Sequence, residues 1–403
     1  MAPLTDGDLV LVDPDGDLIL KVGSERSITH ENKCNSPDNE DDSNAAQHEV
    51  KEIKQPKTLR IRVCSKFMTM CSPVFERMLN GSFRESQLTP NPVEPPVLEL
   101  PEDAPTSMLE LCRIFHHTWD TSLDAFPSCV LPIAIAADKY GCHKIARAWF
   151  HYRAFRNASR RSTCSILDLA RLISISYILD DVGAFYFFSV EGYKSWRTKK
   201  GQNDEFISEI SRYLPARVHE LLKEIAKAQL KALRASCHNA ISELCMGNQR
   251  YRDGAIVHST IFTRTEEFTI PVVCKGQAAR VAQYIQALFE VDLWLPGRGG
   301  GGPASLEAAI CIVRQIAARS NDGPVNCDSV ACVSCFISWE SAVQDVADSF
   351  ENELRGICLV CLKRGDLSTS KLQTGCNEHQ GESTLGWFVA WSQTTRDYET
   401  LED

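Results

Sequence analysis

Four residues near the C-terminus have the types and the spacing of a zinc site. Cys358 and Cys361 are separated by two residues, and Cys376 and His379 have the same spacing further along the chain. Thiolate sulfur and imidazole nitrogen are the usual ligands of tetrahedral structural zinc. The sequence therefore predicts one structural zinc ion, as the cofactor of the chain, held by two close pairs. The alternative is that Cys358 and Cys361 are small buried apolar side chains, as reduced cysteines often are.

A second group of cysteines, Cys327, Cys332 and Cys335, precedes a segment with helical periodicity and lacks an evident fourth ligand. Apolar residues recur at three- and four-residue steps over 336–357, which predicts one continuous helix. A rise of 1.5 Å per residue would then separate the two cysteine groups by roughly 35 Å, too far for one four-cysteine site. The end of the same helix would place Cys358 and Cys361 on one side.

No other residues have the pattern of a catalytic site. The chain contains neither a Gly-x-Ser-x-Gly nucleophile elbow nor a His-Glu-x-x-His zinc helix, and its scattered cysteines and histidines do not form a triad. The glycine-rich stretch at 297–302 lacks the preceding strand and the following Gly-Lys-Ser/Thr of a phosphate loop, so we interpret it as a linker. We expect no enzymatic activity, and a zinc-dependent enzyme is the less favoured alternative.

The composition restricts the compartment and the partners. Acidic residues outnumber basic ones by 53 to 43, which gives a net charge of −10 and disfavours a nucleic-acid partner. No stretch approaches the roughly 20 apolar residues that span a bilayer, so we expect no membrane partner. The N-terminus lacks the basic and apolar regions of a secretory signal, and seventeen cysteines then indicate a reducing compartment. The expected location is cytoplasmic or nuclear.

The elements that must position a site begin with a strand followed by two short helices, at 59–86. Three apolar residues alternate with arginines, as in a strand with one buried face: Leu59, Ile61 and Val63. Ser65 can then cap a short helical turn. Ser72 and Pro73 begin the next helix, since serine accepts a hydrogen bond from an unpaired amide and proline fits the first helical position.

Upstream of this stretch, the pattern predicts a hairpin. Two apolar runs, at 9–12 and 18–22, flank the tetrapeptide at 13–16, in which proline and glycine have the backbone angles that a tight turn requires. Downstream, the periodicity from 164 to 294 is almost purely helical.

The stretch at 59–86 resembles the core of a BTB/POZ domain, in the divergent form of filamentous fungi. Three further pieces occur in the family's order: GDLILKVG at 16–23, VLELPEDAPTSMLELCRIFHH at 97–117 and LPIAIAADKYGC at 131–142. The resemblance implies an α+β fold in which helices cover a small sheet, followed here by an all-α helical region. It also implies protein–protein interaction without chemistry.

The resemblance implies four interaction residues. Asp17 matches the acidic residue that opens a strand and often lies at the dimer seam of such domains. Cys64 stands where the family usually has a histidine. A cullin would contact the surface around Phe83 and the turn at 115–119, beginning with Phe115. The adjacent His116 and His117 cannot share one helix face, and we expect both to be partly exposed.

The family also implies the class of partner. Some members recruit substrates to cullin-type ubiquitin ligases, and others dimerise transcription regulators. We therefore expect an interaction module, either an adaptor that binds a cullin or a scaffold. The alternative is a self-associating transcriptional cofactor or scaffold that binds a second copy of itself, without a ligase role.

The predicted organisation has four parts. Residues 6–157 form the BTB/POZ domain, with a polar, acidic insert at 24–57 that we expect to be disordered. Residues 160–296 form the helical domain. Residues 303–380 form a C-terminal helical segment that carries the Cys/His cluster, and residues 381–403 form a polar tail, which we also expect to be disordered.

Overall fold

The computed structural model describes residues 7–24, 57–119, 127–156, 165–199, 201–246, 262–265, 268–271, 275–294, 303–318 and 339–365. Two compact units contain them. The first lies within Met1–Ser162 and includes Ile178–Asp181, and the second lies within Thr163–Tyr177 and Val182–Arg396. The described part is a mixed α/β structure with one small four-stranded sheet and thirteen α-helices. None of the described helices is long and apolar enough to cross a membrane.

Several predicted features lie outside the described residues. One is the acidic insert, of which only residues 24 and 57 are described. The others are the glycine-rich stretch at 297–302, the cysteines Cys327, Cys332, Cys335 and Cys376, His379, and the tail at 381–403.

The four-stranded sheet forms the centre of the first unit. Its strands are β1 (Leu9–Leu11), β2 (Leu18–Gly23), β3 (Thr58–Val63) and β4 (Val97–Leu100). The order is β1-β3-β2-β4, in which β3 is parallel to β1 and antiparallel to β2, and β4 is parallel to β2. The predicted alternation of β3 is confirmed, because its three apolar side chains are fully buried: Leu59, Ile61 and Val63.

The predicted hairpin between the first two strands is wrong. β1 and β2 do not pair with each other, because β3 lies between them. The turn at 13–16 does form, with the Gly16 amide donating to the Asp13 carbonyl (3.1 Å). It passes around the end of β3, where a Cβ atom on Gly16 would lie 2.5 Å from the Val63 carbonyl oxygen. Glycine is therefore required at this close approach.

Five helices complete the first unit: α1 (Ser65–Cys71), α2 (Pro73–Asn80), α3 (Pro105–Phe115), α4 (Val130–Lys139) and α5 (His143–Arg156), with a 3₁₀ turn at Arg84–Gln87. The predicted start of α2 is confirmed. The Ser72 hydroxyl accepts from the Phe75 amide (3.1 Å) and donates to the Tyr140 carbonyl (2.7 Å). The Phe75 ring stacks on Tyr140 with centroids 4.5 Å apart. One serine thus caps α2 and joins it to the end of α4.

The second unit contains eight helices and a hairpin. The helices are α6 (Ile166–Ile178), α7 (Val182–Lys194), α8 (Asp204–Ile210), α9 (Arg217–Met246), α10 (Lys275–Glu290), α11 (Leu306–Ala318), α12 (Trp339–Glu353) and α13 (Leu359–Arg364). The prediction of an all-helical region is wrong at one place, because β5 (Phe262–Thr265) and β6 (Phe268–Pro271) pair antiparallel. Helices α9, α11 and α12 pack against one another, so residues before and after 297–302 share one unit.

The predicted helix over 336–357 is confirmed for Trp339–Glu353 and is wrong at its end, because residues 354–357 are not helical. Helix α12 ends at Glu353, and α13 begins only at Leu359. Between them, α7 supplies the hydrogen bonds that a helix would have made internally. The Ile357 amide donates to the Ser189 hydroxyl (2.8 Å), and the Tyr193 hydroxyl donates to the Arg355 carbonyl (3.2 Å). Contacts with a distant helix therefore override the local periodicity.

Candidate functional site

Asp17 holds the first residue of α1. One of its carboxylate oxygens accepts from the Ser65 amide (2.7 Å), and the other accepts from the Ser65 hydroxyl (2.8 Å). The residue before the helix, Cys64, makes no side-chain cap. The prediction that Ser65 caps this helix is therefore wrong, because the capping carboxylate belongs to Asp17, the residue before β2. A carboxylate at a helix N-terminus also interacts favourably with the helix dipole. A role for Asp17 at a dimer seam stays a prediction.

His116 makes a second contact at the start of α1, with the backbone of Cys64. The Cys64 amide donates to its Nε2 atom (3.0 Å), and its Nδ1 atom lies 2.8 Å from the Cys112 carbonyl. Because the amide can only donate, Nε2 must be unprotonated, and Nδ1 carries the proton. Burial lowers the pKa of His116, which favours this neutral form. The half-buried state of His116 and the exposure of His117 agree with the prediction.

Helix α1 presents two large apolar side chains to solvent. Phe67 is 41% exposed and Met70 is 71% exposed, three residues apart and therefore on one side of the helix. Met68, between them, is fully buried. The Phe67 ring packs on the His116 ring with centroids 5.1 Å apart. We refer to Phe67 and Met70 as the α1 patch. Because contiguous exposed apolar surface marks interaction sites more often than scattered residues do, the α1 patch is the candidate binding surface of this unit.

The two aromatic residues expected to contact a cullin differ in exposure. Phe83, in the segment after α2, is 55% exposed. Phe115 is only 1% exposed, so its side chain belongs to the core, and the contact of the turn at 115–119 with a cullin stays a prediction. Phe115 lies on the inner side of α3, together with buried Met108 and Cys112. In the turn after it, His117 has a left-handed backbone (φ 55°) and is exposed to solvent.

Sequence reasoning did not identify the α1 patch. The available signal was the helical period of 3.6 residues, which places Phe67 and Met70 on the side opposite to Met68. Sequence reasoning also did not identify Leu9 and Leu11 of β1, which are 49% and 51% exposed at an edge of the sheet. For β1, the signal was the alternation of Leu9 and Leu11 with Val10, which places the two leucines on one face of the strand.

The structure describes two of the four predicted zinc ligands. Cys358 is the extended residue before α13 (φ −73°, ψ 113°) rather than the end of a long helix, and Cys361 lies within α13. Both are buried. No group of three or more histidine, cysteine, aspartate or glutamate residues in the described ranges forms a metal-ligand cluster. Since Cys376 and His379 lie outside those ranges, the zinc site stays a prediction.

Protein-family models, curated proteins and solved structures give no match to this chain.

Proposed function

We propose that the first unit is a protein-interaction module of the BTB/POZ type and that the α1 patch is part of its binding surface. The observation that carries the proposal is the exposure of Phe67 and Met70 on a helix whose N-terminus is fixed from two sides. Asp17, just before β2, and His116, just after α3, provide these fixed points. Rigid presentation of apolar side chains reduces the entropic cost of binding, and such side chains provide much of the affinity of protein interfaces.

The fold supports the same assignment. A strand leads into two short helices, and a small sheet contacts helices in the first unit, as an α+β interaction domain requires. The sequence pieces that resemble the BTB/POZ family all lie in this unit. Nothing in this proposal requires catalysis by the chain.

The proposed partner is the N-terminal domain of a cullin, and the chain would act as its substrate adaptor. The test uses the full chain and a purified cullin N-terminal domain, with the mass of the complex measured by light scattering. Met70→Asp and Phe83→Asp each place a charge at an exposed apolar position. If these residues are central contacts, each loss should be about 2 kcal/mol, or roughly thirtyfold in Kd.

The matched control for these variants is Ile135→Asp. Ile135 is also an exposed apolar residue of the first unit (40% exposed), but it lies on α4. This variant should bind as the unchanged chain does. Absence of a complex with the unchanged chain, or equal losses in all three variants, would refute the adaptor proposal.

A second candidate function is self-association, and β1 is the observation that favours it. β1 pairs only with β3 among the described strands, so its other edge and the half-exposed Leu9 and Leu11 can pair with another chain. In the same mass measurement, a dimer without a cullin complex supports a self-associating scaffold or transcriptional cofactor. Leu11→Lys should then return the protein to a monomer.

We also propose one structural zinc ion bound by Cys358, Cys361, Cys376 and His379. The support is the soft donor set of two close pairs and the position of the first pair around the start of α13. The zinc would fasten the segment after α13 to that helix, with no open position for a substrate. Its role would be structural.

A further inference from the structure

A groove in the second unit has features of a separate binding site. A cavity of about 430 Å³ lies between the first half of α9, the segment that joins α7 to α8, and the start of α11. Its apolar lining includes Trp196, Ala226 and Leu306, all three of which are buried side chains. We call this cavity the α9 groove. Its volume is within the range of about 300–1,000 Å³ that is usual for ligand sites.

The charge of the α9 groove is opposite to that of the chain. Its cationic lining residues are Arg197, Lys199, Lys223 and Lys227, and its acidic ones are Asp204 and Glu220. Four cations against two carboxylates give an excess of two positive charges, whereas the whole chain carries −10. Within the described ranges, none of the four cations takes part in an ion pair. All four side chains are exposed to solvent, so a ligand in the groove can reach their charges.

The wall of the groove is braced before any ligand binds. The buried Asn203 side chain accepts from the Arg197 amide (3.0 Å) and donates to the Arg197 carbonyl (2.8 Å). The Thr198 amide donates to the Ala304 carbonyl (2.9 Å), next to the start of α11. A preformed wall does not have to be ordered on binding, which lowers the entropic cost.

We propose that the α9 groove binds a short acidic peptide segment of a partner protein. The lining residues of α9 extend from His219 to Leu230, about 17 Å along the helix axis at 1.5 Å per residue. This length matches about five residues of an extended peptide. Glutamate or aspartate side chains would pair with Lys223 and Lys227, while alternate apolar side chains would contact the apolar lining. The charge complementarity selects an acidic partner, and the groove lies in a different unit from the α1 patch.

The test measures fluorescence anisotropy of a fluorescein-labelled peptide of alternating glutamate and leucine, titrated with the full chain. We expect saturable binding that weakens as salt is added, because the pairs are exposed to solvent. The double variant Lys223→Glu with Lys227→Glu should bind at least about tenfold more weakly. Lys231→Glu is the matched control, since Lys231 is exposed on the same helix, outside the groove lining, and this variant should stay within about twofold.

Four results would overturn the proposal. The first is no anisotropy change at millimolar protein, and the second is an equal loss in the Lys231→Glu control. The third is equal affinity for a peptide in which serine replaces leucine, which would indicate attraction by charge alone. The fourth is displacement of the peptide by citrate or inorganic phosphate at equal concentration, which would indicate a small-anion site. Circular dichroism of each variant checks that the helices remain folded.

Discussion

Replacing Asp17 tests whether this residue acts inside its own chain. In Asp17→Ala, the Ser65 amide and hydroxyl both lose the acceptors that they have at 2.7 Å and 2.8 Å. Loss of an N-cap costs about 0.5–2 kcal/mol, and loss of the carboxylate from the helix N-terminus costs about 0.3–1 kcal/mol more. We therefore expect Asp17→Ala to lower the free energy of unfolding of the first unit by about 1–3 kcal/mol.

Asp17→Asn separates the two contributions. The asparagine carbonyl can still accept from the Ser65 amide, and its amino group can donate to the Ser65 hydroxyl, so only the charge is lost. The expected loss is about 0.3–1 kcal/mol. Asp15→Ala is the control, because Asp15 lies two residues earlier and its side chain is exposed. The hydrogen bond of Asp15 to the Asp13 side chain is made by its backbone amide, which the substitution keeps. Its effect should be below about 0.5 kcal/mol.

The assay is urea unfolding of the full chain, followed by fluorescence and circular dichroism to separate the transitions of the two units. The expected order of midpoints is Asp15→Ala, then Asp17→Asn, then Asp17→Ala, from highest to lowest. If Asp17→Ala keeps the midpoint of the unchanged chain but abolishes self-association, the internal cap is not the role of Asp17. The residue would then act at a dimer seam.

Three further predictions follow from other positions. The folded-state pKa of His116 is below its usual value near 6.5, so its contribution to stability is complete above that value and is lost as pH falls below it. The melting temperature should therefore fall more steeply below about pH 6.5 in the unchanged chain than in His116→Asn. Gly356→Ala should cost at least about 1–3 kcal/mol, because the new methyl would overlap the Tyr186 carbonyl and ring, and an unchanged urea midpoint would refute this contact. Elemental analysis should find one zinc per chain, and Cys358→Ser with Cys376→Ser should remove it; full zinc retention would rule out this site.

Local patterns predicted individual elements better than their pairing. The alternation in β3 and the Ser72-Pro73 helix start depend on neighbouring residues, and both are present in the structure. The turn at 13–16 was also predicted, yet its flanking strands do not pair. The strand that separates them, β3, comes after the long acidic insert. No local pattern indicates that a later strand will enter between two earlier ones.

The break between α12 and α13 has a similar cause. The periodic apolar residues of this segment are buried as predicted, including Phe350, Leu354 and Ile357. Burial, however, does not distinguish a continuous helix from two helices with an extended link. The link exists because Ser189 and Tyr193, more than 150 residues earlier, hydrogen-bond to its backbone. These partners could not be identified from the sequence of the segment itself.

The resemblance to a family was also a weak guide to which side chains are exposed at the proposed binding surface. The resemblance placed Phe115 at the surface, although its helical spacing from Met108 and Cys112 already placed it on the buried face of α3. The adjacent His116 proved more informative, because it reaches the start of α1. His116, the residue after α3, accepts a hydrogen bond from the amide of Cys64, a contact between residues that are 52 positions apart.

The junction at residues 64 and 65 connects the stability of the first unit to its proposed binding surface. Asp17 precedes β2 and His116 follows α3, so two distant parts of the chain fix the start of α1. Changes at these two residues should therefore weaken both folding and binding. Met70→Asp, by contrast, should weaken binding alone, because its side chain contributes little to the core. If Met70→Asp and Asp17→Ala lowered stability equally, the α1 patch would be part of the core rather than a surface for a partner.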